Sequence, residues 1–240
     1  MKGIFLFVFI FYSSFFRPVS ADSLKKFFKK SGIFFSEFVK EGKVNYSAIV
    51  ENTESQQELQ QLNRLIEHID LSSFSKEEKM AFLIDTYNIL VISQIVEKYP
   101  IASPFKIDGF FDTRKFTVAG EVVSLNRLQK EMLEAFQDLR IPFALCTGTK
   151  GSFPLNSFAY KPGKLQKQLS AQVQKVVNCA YFIRKMRNSS RILLCESFLP
   201  WSKTMDKKQL IDQLNAWRAE ALPTTYSVAY FPTDHSLNAL

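Results

Sequence analysis

The chain has 240 residues, including 24 Phe, 9 Pro, 8 Gly and 3 Cys, and a formal net charge of +8. That length can bury a substantial core, and the ordinary Gly and Pro content excludes collagen-like, fibrous and low-complexity proteins. Three cysteines are too few for a disulfide-dense scaffold.

Residues 1–21 carry the three parts of a secretory signal peptide. Lys2 gives a positive start, an apolar run extends from Ile4 to Phe16, and Val19-Ser20-Ala21 supplies small residues before a cut. The run falls short of the ~20 residues that span a bilayer, so cleavage after Ala21 is expected rather than an uncleaved anchor. The mature protein, residues 22–240, is then exported, periplasmic or secreted, with no stable membrane span. Losing Lys2 and Arg17 lowers the net charge from +8 to +6. The pairs Lys25-Lys26 and Lys29-Lys30 are suited to an anionic membrane surface or an acidic polymer. Export and the lack of a nucleic-acid-binding motif leave nucleic acid an unexpected partner.

Leu24 to Val39 predicts an amphipathic helix interrupted at Gly32, and Gln57 to Ile69 predicts a second. Ser75-Lys-Glu-Glu78 is a capping box. It opens a helix through Asp85, Tyr87 and Asn88 to Tyr99, closed by Pro100 and apolar on most sides, hence a buried central helix. Lys115 to Val123 alternates around Gly120 and predicts a hairpin, and Ser124 caps a helix to Phe136. Arg140 to Cys146 reads as a buried strand feeding a polar loop from Thr147 to Pro154, a common setting for chemistry. Lys164 to Val177 and Lys207 to Ala221 predict helices, while Tyr181-Phe-Ile, Arg191 to Cys195 and Tyr226 to Phe231 predict strands. Without regular strand–helix alternation the class is α+β: one mixed domain with a helical N-terminal part and a small, mostly antiparallel sheet.

Buried free thiol is the default for Cys146, Cys179 and Cys195, although an oxidising compartment permits one disulfide and leaves at least one thiol unpaired. Asn45-Tyr-Ser47 and Asn188-Ser-Ser190 are glycosylation acceptors in a host that glycosylates exports. Two scattered His and three scattered Cys show no metal-ligand spacing. There is no Gly-rich phosphate loop and no Gly-x-Ser-x-Gly elbow, so neither metal nor cofactor is expected.

Several segments, in order, resemble the family known as domain of unknown function 547. They include Phe38-Val-Lys-Glu-Gly42-Lys-Val-Asn-Tyr46, Ser75 to Asn88, Phe110-Phe-Asp112, Phe116 to Gly120 and Ser124-Leu-Asn126. Arg140 to Leu145, Pro154-Leu155, Ala159-Tyr160 and Asp234-His-Ser-Leu-Asn238 continue the likeness, which covers roughly residues 34–240. The resemblance implies a mixed α+β domain, often exported, without a generally established activity. It also implies a carboxylate, an imidazole and a thiol that together would suit cysteine-hydrolase chemistry. This chain departs from the pattern at all three points. Gln129 stands where the family has Glu, Pro142 where it has His, and Ser152 near where it has Cys. Gln supplies no charge, Pro has no titratable group, and a hydroxyl without a base is a poor nucleophile.

The first expectation is therefore a non-catalytic binding or structural protein. It keeps a pocket near Ser152, Arg140, Asp85 and Asn88 for a ligand or cell-envelope partner. Asp85, Tyr87 and Asn88, polar groups in an apolar setting, are first expected to anchor a hydrogen-bond network holding neighbouring loops. The alternative is a hydrolase with a Ser152 or Cys146 nucleophile and His235 folded in as base. His68, on a helix between Leu65 and Ile69, is expected at a surface or core edge. His235 is by default a packing residue. Arg140 either pairs with Asp138 or Glu134 or offers its guanidinium to an anion. Gln129, Pro142 and Ser152 lie on consecutive elements, so they are expected to meet at one cleft.

Overall fold

The computed structural model describes residues 19–240, and the leader expected over residues 1–21 falls almost entirely outside them. The architecture is mixed α+β with three small sheets. Helix α1 (Val19–Phe38) leads into the two-residue strands β1 (Val39–Lys40) and β2 (Lys43–Val44), then α2 (Tyr46–Glu51) and α3 (Thr53–His68). Gly32 does not interrupt α1. Burial of Leu24, Phe27, Phe34, Phe35 and Phe38 outweighs the roughly 1 kcal/mol that a mid-helix glycine costs. The short α2 is unanticipated in the sequence, and its start is fixed by the Asn45 side chain accepting from the Ala48 amide.

The centre is α4 (Lys76–Lys98), where the capping box forms as expected: Ser75 Oγ accepts from Glu78 N–H, and the Glu78 carboxylate accepts from Ser75 N–H. Among the described residues α4 is long and apolar enough to cross a membrane, but most of it is buried in the core. The core pairs include Phe82 of α4 against Phe27 of α1, with ring centroids 4.8 Å apart.

The hairpin of β3 (Phe116–Val118) and β4 (Glu121–Val123) turns on Ala119 and Gly120, both at positive φ. Ser124 caps α5 (Leu125–Phe136) through Arg127 N–H. The buried strand expected over Arg140 to Cys146 is instead the short helix α6 (Ile141–Ala144) followed by extended Leu145. Pro142 sits in the first helical turn, where its missing N–H costs nothing. The Asp138 carboxylate accepts from Arg140 N–H to set the entry.

Helix α7 (Leu165–Val177) precedes β5 (Ile183–Met186) and β6 (Arg191–Cys195). Then come α8 (Leu199–Ser202), α9 (Lys207–Asn215) and β7 (Ser227–Phe231). Helix α9 stops at Asn215, short of the expected Ala221, because the Asn215 side chain bonds both backbone groups of Leu222 and turns the chain. β5 and β6 are antiparallel, whereas β6 and β7 are parallel, the intervening α8 and α9 forming the long crossover such pairing needs.

Two apolar clusters result. The larger gathers α1 to α5 with Ile141, Ala144, Leu145 and Cys146. The smaller gathers α7, β5, β6 and α9 with Phe143, Phe153, Phe198 and Trp201. Neighbouring residues of α6 thus belong to different cores, and the segment 141–153 runs along their boundary. The C-terminal residues 234–240 strap this boundary. Gly151 N–H donates to Asp234 O, Lys150 N–H to Ser236 O, Asn238 N–H to Gly148 O and Leu240 N–H to Val44 O. A Cβ on Gly151 would lie 2.3 Å from Thr233 Cβ, so only glycine permits the strap to sit this close.

Asp85 is fully buried on α4. Its Oδ1 accepts from Tyr160 N–H at 3.0 Å, and Oδ2 has no partner. Burial holds its carboxyl well above the usual carboxylate range, only partly opposed by the Tyr160 bond. A carboxyl raised in the fold stabilises it fully below the unfolded-chain value of about 3.9, and that contribution is lost as pH rises through the folded value. Asp85→Asn is therefore expected to exceed the parent in stability at pH 7 by about 1–3 kcal/mol. The gap should close toward pH 4 in urea unfolding. A parent as stable as the variant at pH 7 contradicts a neutral Asp85.

Candidate functional site

Asn88 of α4, also buried, aims its amide at the boundary segment. Its Nδ2 donates to Ala144 O at 2.9 Å and its Oδ1 accepts from Cys146 N–H at 2.9 Å. One side chain thus supplies the donor and acceptor that a neighbouring strand would give to the backbone around Leu145. Both functional groups of Asn88 are engaged in this clamp.

The clamp places Cys146, whose Sγ is 3.2 Å from Ser152 Oγ. Gly148 N–H and Asn238 Nδ2 each approach the sulfur at 3.5 Å, and Tyr46 O–H donates to Asn238 Oδ1 at 2.8 Å. Burial pushes the Cys146 thiol up despite the bonds from Ser152, Gly148 and Leu155. Ser152 Oγ–H is directed to Thr149 O at 2.9 Å, with Phe153 O at 3.3 Å. Either atom can donate in the Cys146–Ser152 contact, and the hydroxyl also has two backbone carbonyls in reach.

Ser152 lies on the wall of a cavity of about 840 Å³ at the core boundary. Gln129 of α5 and Pro142 of α6 line the same cavity, so the three positions on consecutive elements face one space. Leu133, Leu139, Leu145, Phe153, Trp201 and Met205 make most of its surface apolar. Its polar contribution includes Gln129, Asp138, Thr147, Ser152, Thr204 and Glu196. A second cavity of about 420 Å³, with Lys43, Lys150, Lys175 and the half-buried Cys179 on its walls, touches the other side of Ser152.

Glu196 is the principal charged group that the sequence reading missed. It follows the last residue of β6, and a carboxylate just past the end of an apolar strand is the one local signal for it. Burial raises its carboxyl, but the Thr233 hydroxyl and amide bonds and the nearby His235 outweigh this and hold it below the usual carboxylate range. His235 Nε2 meets Glu196 Oε1 at 2.7 Å, and its ring packs edge-on against Phe105. The imidazole is half-exposed and makes no hydrogen bond to Ser152 or Cys146, so His235 is not poised as their base. His68 is exposed at the end of α3 and donates to Arg64 O.

Arg140 does not line the cavity. Its guanidinium binds both Asp138 oxygens, at 2.9 and 2.7 Å, and Ser170 Oγ at 2.9 Å, tying the α5–α6 turn to α7. Asp138 does face the cavity. Burial raises its carboxyl, but the Arg140 bonds and the charges of Arg140 and Lys76 bring it below the usual range. Asp85 and Asn88 stand behind the wall, not on it. All three cysteines are free thiols. Among the described residues no three His, Cys, Asp or Glu side chains gather to hold a metal ion.

Removing the Asn88 clamp orphans Ala144 O and Cys146 N–H in the core. Asn88→Ala is expected to lose about 2–4 kcal/mol in denaturant unfolding and to speed alkylation of Cys146 in the native protein. Asn88→Asp, which keeps the acceptor but sets an oxygen against Ala144 O, is expected to be no better. Wild-type stability in both variants contradicts the clamp.

No curated protein and no solved structure matches the chain. One family model matches, described as "Protein of unknown function, DUF547", over residues 71–177. That span holds α4, the Asn88 clamp and the Gln129, Pro142 and Ser152 wall. The quoted likeness at 38–46 and 234–238 lies beyond it, although the strap brings those residues to the same loop. Over residues 71–177, a little under half of its length, the chain is similar to the DUF547 family.

Proposed function

We propose that this protein is a non-catalytic binding member of its family, exported to the periplasm or beyond, whose ligand occupies the 840 Å³ cavity. The observation that carries the reading is the state of Ser152. Its hydroxyl lies within hydrogen-bond distance of two backbone carbonyls and of Cys146 Sγ, on the wall of a roomy, largely apolar cavity, and no imidazole bonds to it. Deep apolar clefts with a few convergent polar groups are the usual form of small-molecule sites. The ligand is mainly apolar or aromatic, matching Phe153, Trp201 and Met205. A hydrogen-bond-donating or cationic end would meet ionised Glu196.

Nile red, a neutral apolar dye, is the probe for this reading. Its emission is expected to rise and saturate with the wild-type protein. Leu139→Trp, which extends an indole from the half-exposed lip into the cavity, should weaken binding by about ten-fold or more. Exposed Met186→Ala is the control and should leave binding unchanged. Absence of saturable binding, or equal binding by the lip variant, rejects the cavity as the ligand site.

The competing reading is a serine- or cysteine-type hydrolase of the cell envelope, which needs a base beside Ser152 or Cys146. Under the binding reading the raised, buried Cys146 thiol is expected to alkylate at pH 7 about 100-fold more slowly than half-buried Cys179. Installing the family's groups together, as Gln129→Glu, Pro142→His and Ser152→Cys, should give a thiol more reactive than Ser152→Cys alone, because a neighbouring imidazole favours thiolate. Equal rates for the two variants would leave a shared scaffold without an inherited site. Fast alkylation of wild-type Cys146 would favour the hydrolase.

A further inference from the structure

One face of α1 is only partly covered by the described residues: Phe28 packs against the core, while Ile33 is left half-exposed. Helix α1 buries Leu24, Phe27, Phe34, Phe35 and Phe38. A second stripe, Lys25, Phe28, Lys29, Gly32, Ile33 and Ser36, follows the i, i+3, i+4, i+7, i+8, i+11 spacing of one helical face. It forms one side of an open groove of about 680 Å³, closed opposite by Phe158, Lys161 and Pro162. Ile33 is 48% exposed and Phe158 40% exposed, which is unusual for large apolar side chains that sit together. Lys25, Lys29 and Lys161 stand along the groove, and among the described residues none of their ammonium groups pairs with a carboxylate. The acids of α1, Asp22 and Glu37, are absent from the groove walls.

We propose that this face docks the protein peripherally on an anionic lipid surface. Apolar side chains at the centre of the patch enter the headgroup–acyl boundary, while the lysines meet lipid phosphates. A basic rim around exposed apolar side chains, here Ile33 and Phe158 at the lips of the groove, is how interfacial helices hold a membrane without spanning it. A soluble acidic polymer would be met by the lysines alone and would leave Ile33 and Phe158 in water. The surface is separate from the 840 Å³ cavity, whose walls come from α5, α6, α8 and the loop after Leu145.

The test uses the full chain carrying Cys179→Ser, with Ile33→Cys labelled by an environment-sensitive fluorophore. Vesicles of phosphatidylglycerol with phosphatidylcholine are expected to shift the emission to the blue, and vesicles of phosphatidylcholine alone are not. The shift should fade as salt rises to about 0.5 M, as surface charge is screened. Reversing the lysines together (Lys25→Glu, Lys29→Glu, Lys161→Glu) should weaken vesicle binding at this site by roughly a hundred-fold while circular dichroism shows the fold retained. A label at Met186→Cys, on the distant β5, should not respond. The proposal is overturned by no shift on anionic vesicles, or by an equal shift on both lipids. Emission already blue without lipid also overturns it, since that would mean the chain's own N-terminal residues or a second copy fills the groove.

Discussion

The arrangement depends on one buried amide. An extended backbone segment inside a protein must find partners for its N–H and C=O groups, and a sheet is the usual source. Here no strand lies beside Leu145. Asn88 supplies both partners from α4, so the most deeply packed helix fixes the position of Cys146 and the loop behind it. The opposite side of that loop is held by the strap at 234–238. Ser152 and the cavity wall are thus suspended between a central helix and a segment from the far end of the chain.

What is legible in the sequence is what local chemistry dictates. The capping box at Ser75, the Ser124 cap, the Ala119-Gly120 turn and the apolar stripes of α3, α5 and α7 each rest on residues within a few positions of one another. The meeting of Gln129, Pro142 and Ser152 is legible for a similar reason, since they lie on consecutive elements joined by short turns. The α6 segment reads as a strand because Ile141, Phe143 and Leu145 are apolar at alternate positions. Yet Phe143 serves the second core and its neighbours the first, a split that periodicity cannot express. The strap, the parallel β6–β7 pair and the Thr233–Glu196–His235 cluster join residues tens to nearly two hundred positions apart, so no local pattern announces them.

The polar residues singled out on α4 and in the α5–α6 turn show how chemistry-bearing side chains divide between roles. Asp85, Asn88 and Arg140 are each engaged by the protein's own backbone or side chains: Tyr160 N–H, the Ala144–Cys146 backbone and Asp138 with Ser170. They shape the wall from behind. The residues left facing the cavity are apolar, hydroxylic, amide-bearing (Gln129, Gln137) or, in Glu196 and Asp138, anionic. Shape and buried hydrogen bonds define this site, with Gln129, Pro142 and Ser152 together on its wall.

The two tryptophans of the chain have a consequence for how its unfolding can be followed. Trp201 and Trp217 pack edge-to-face on one another and on Phe143, their ring centroids 5.0 to 6.2 Å apart, all at the smaller apolar cluster. The larger cluster around α4 contains tyrosines and phenylalanines but no indole. Intrinsic tryptophan emission therefore records only the cavity-side half of the molecule. Far-ultraviolet ellipticity, weighted by the long helices α1, α3 and α4, records mainly the other half. Coincidence of the two transitions would show that the cores melt as one cooperative unit. Separation would show that the Asn88 clamp and the strap join two units that can part.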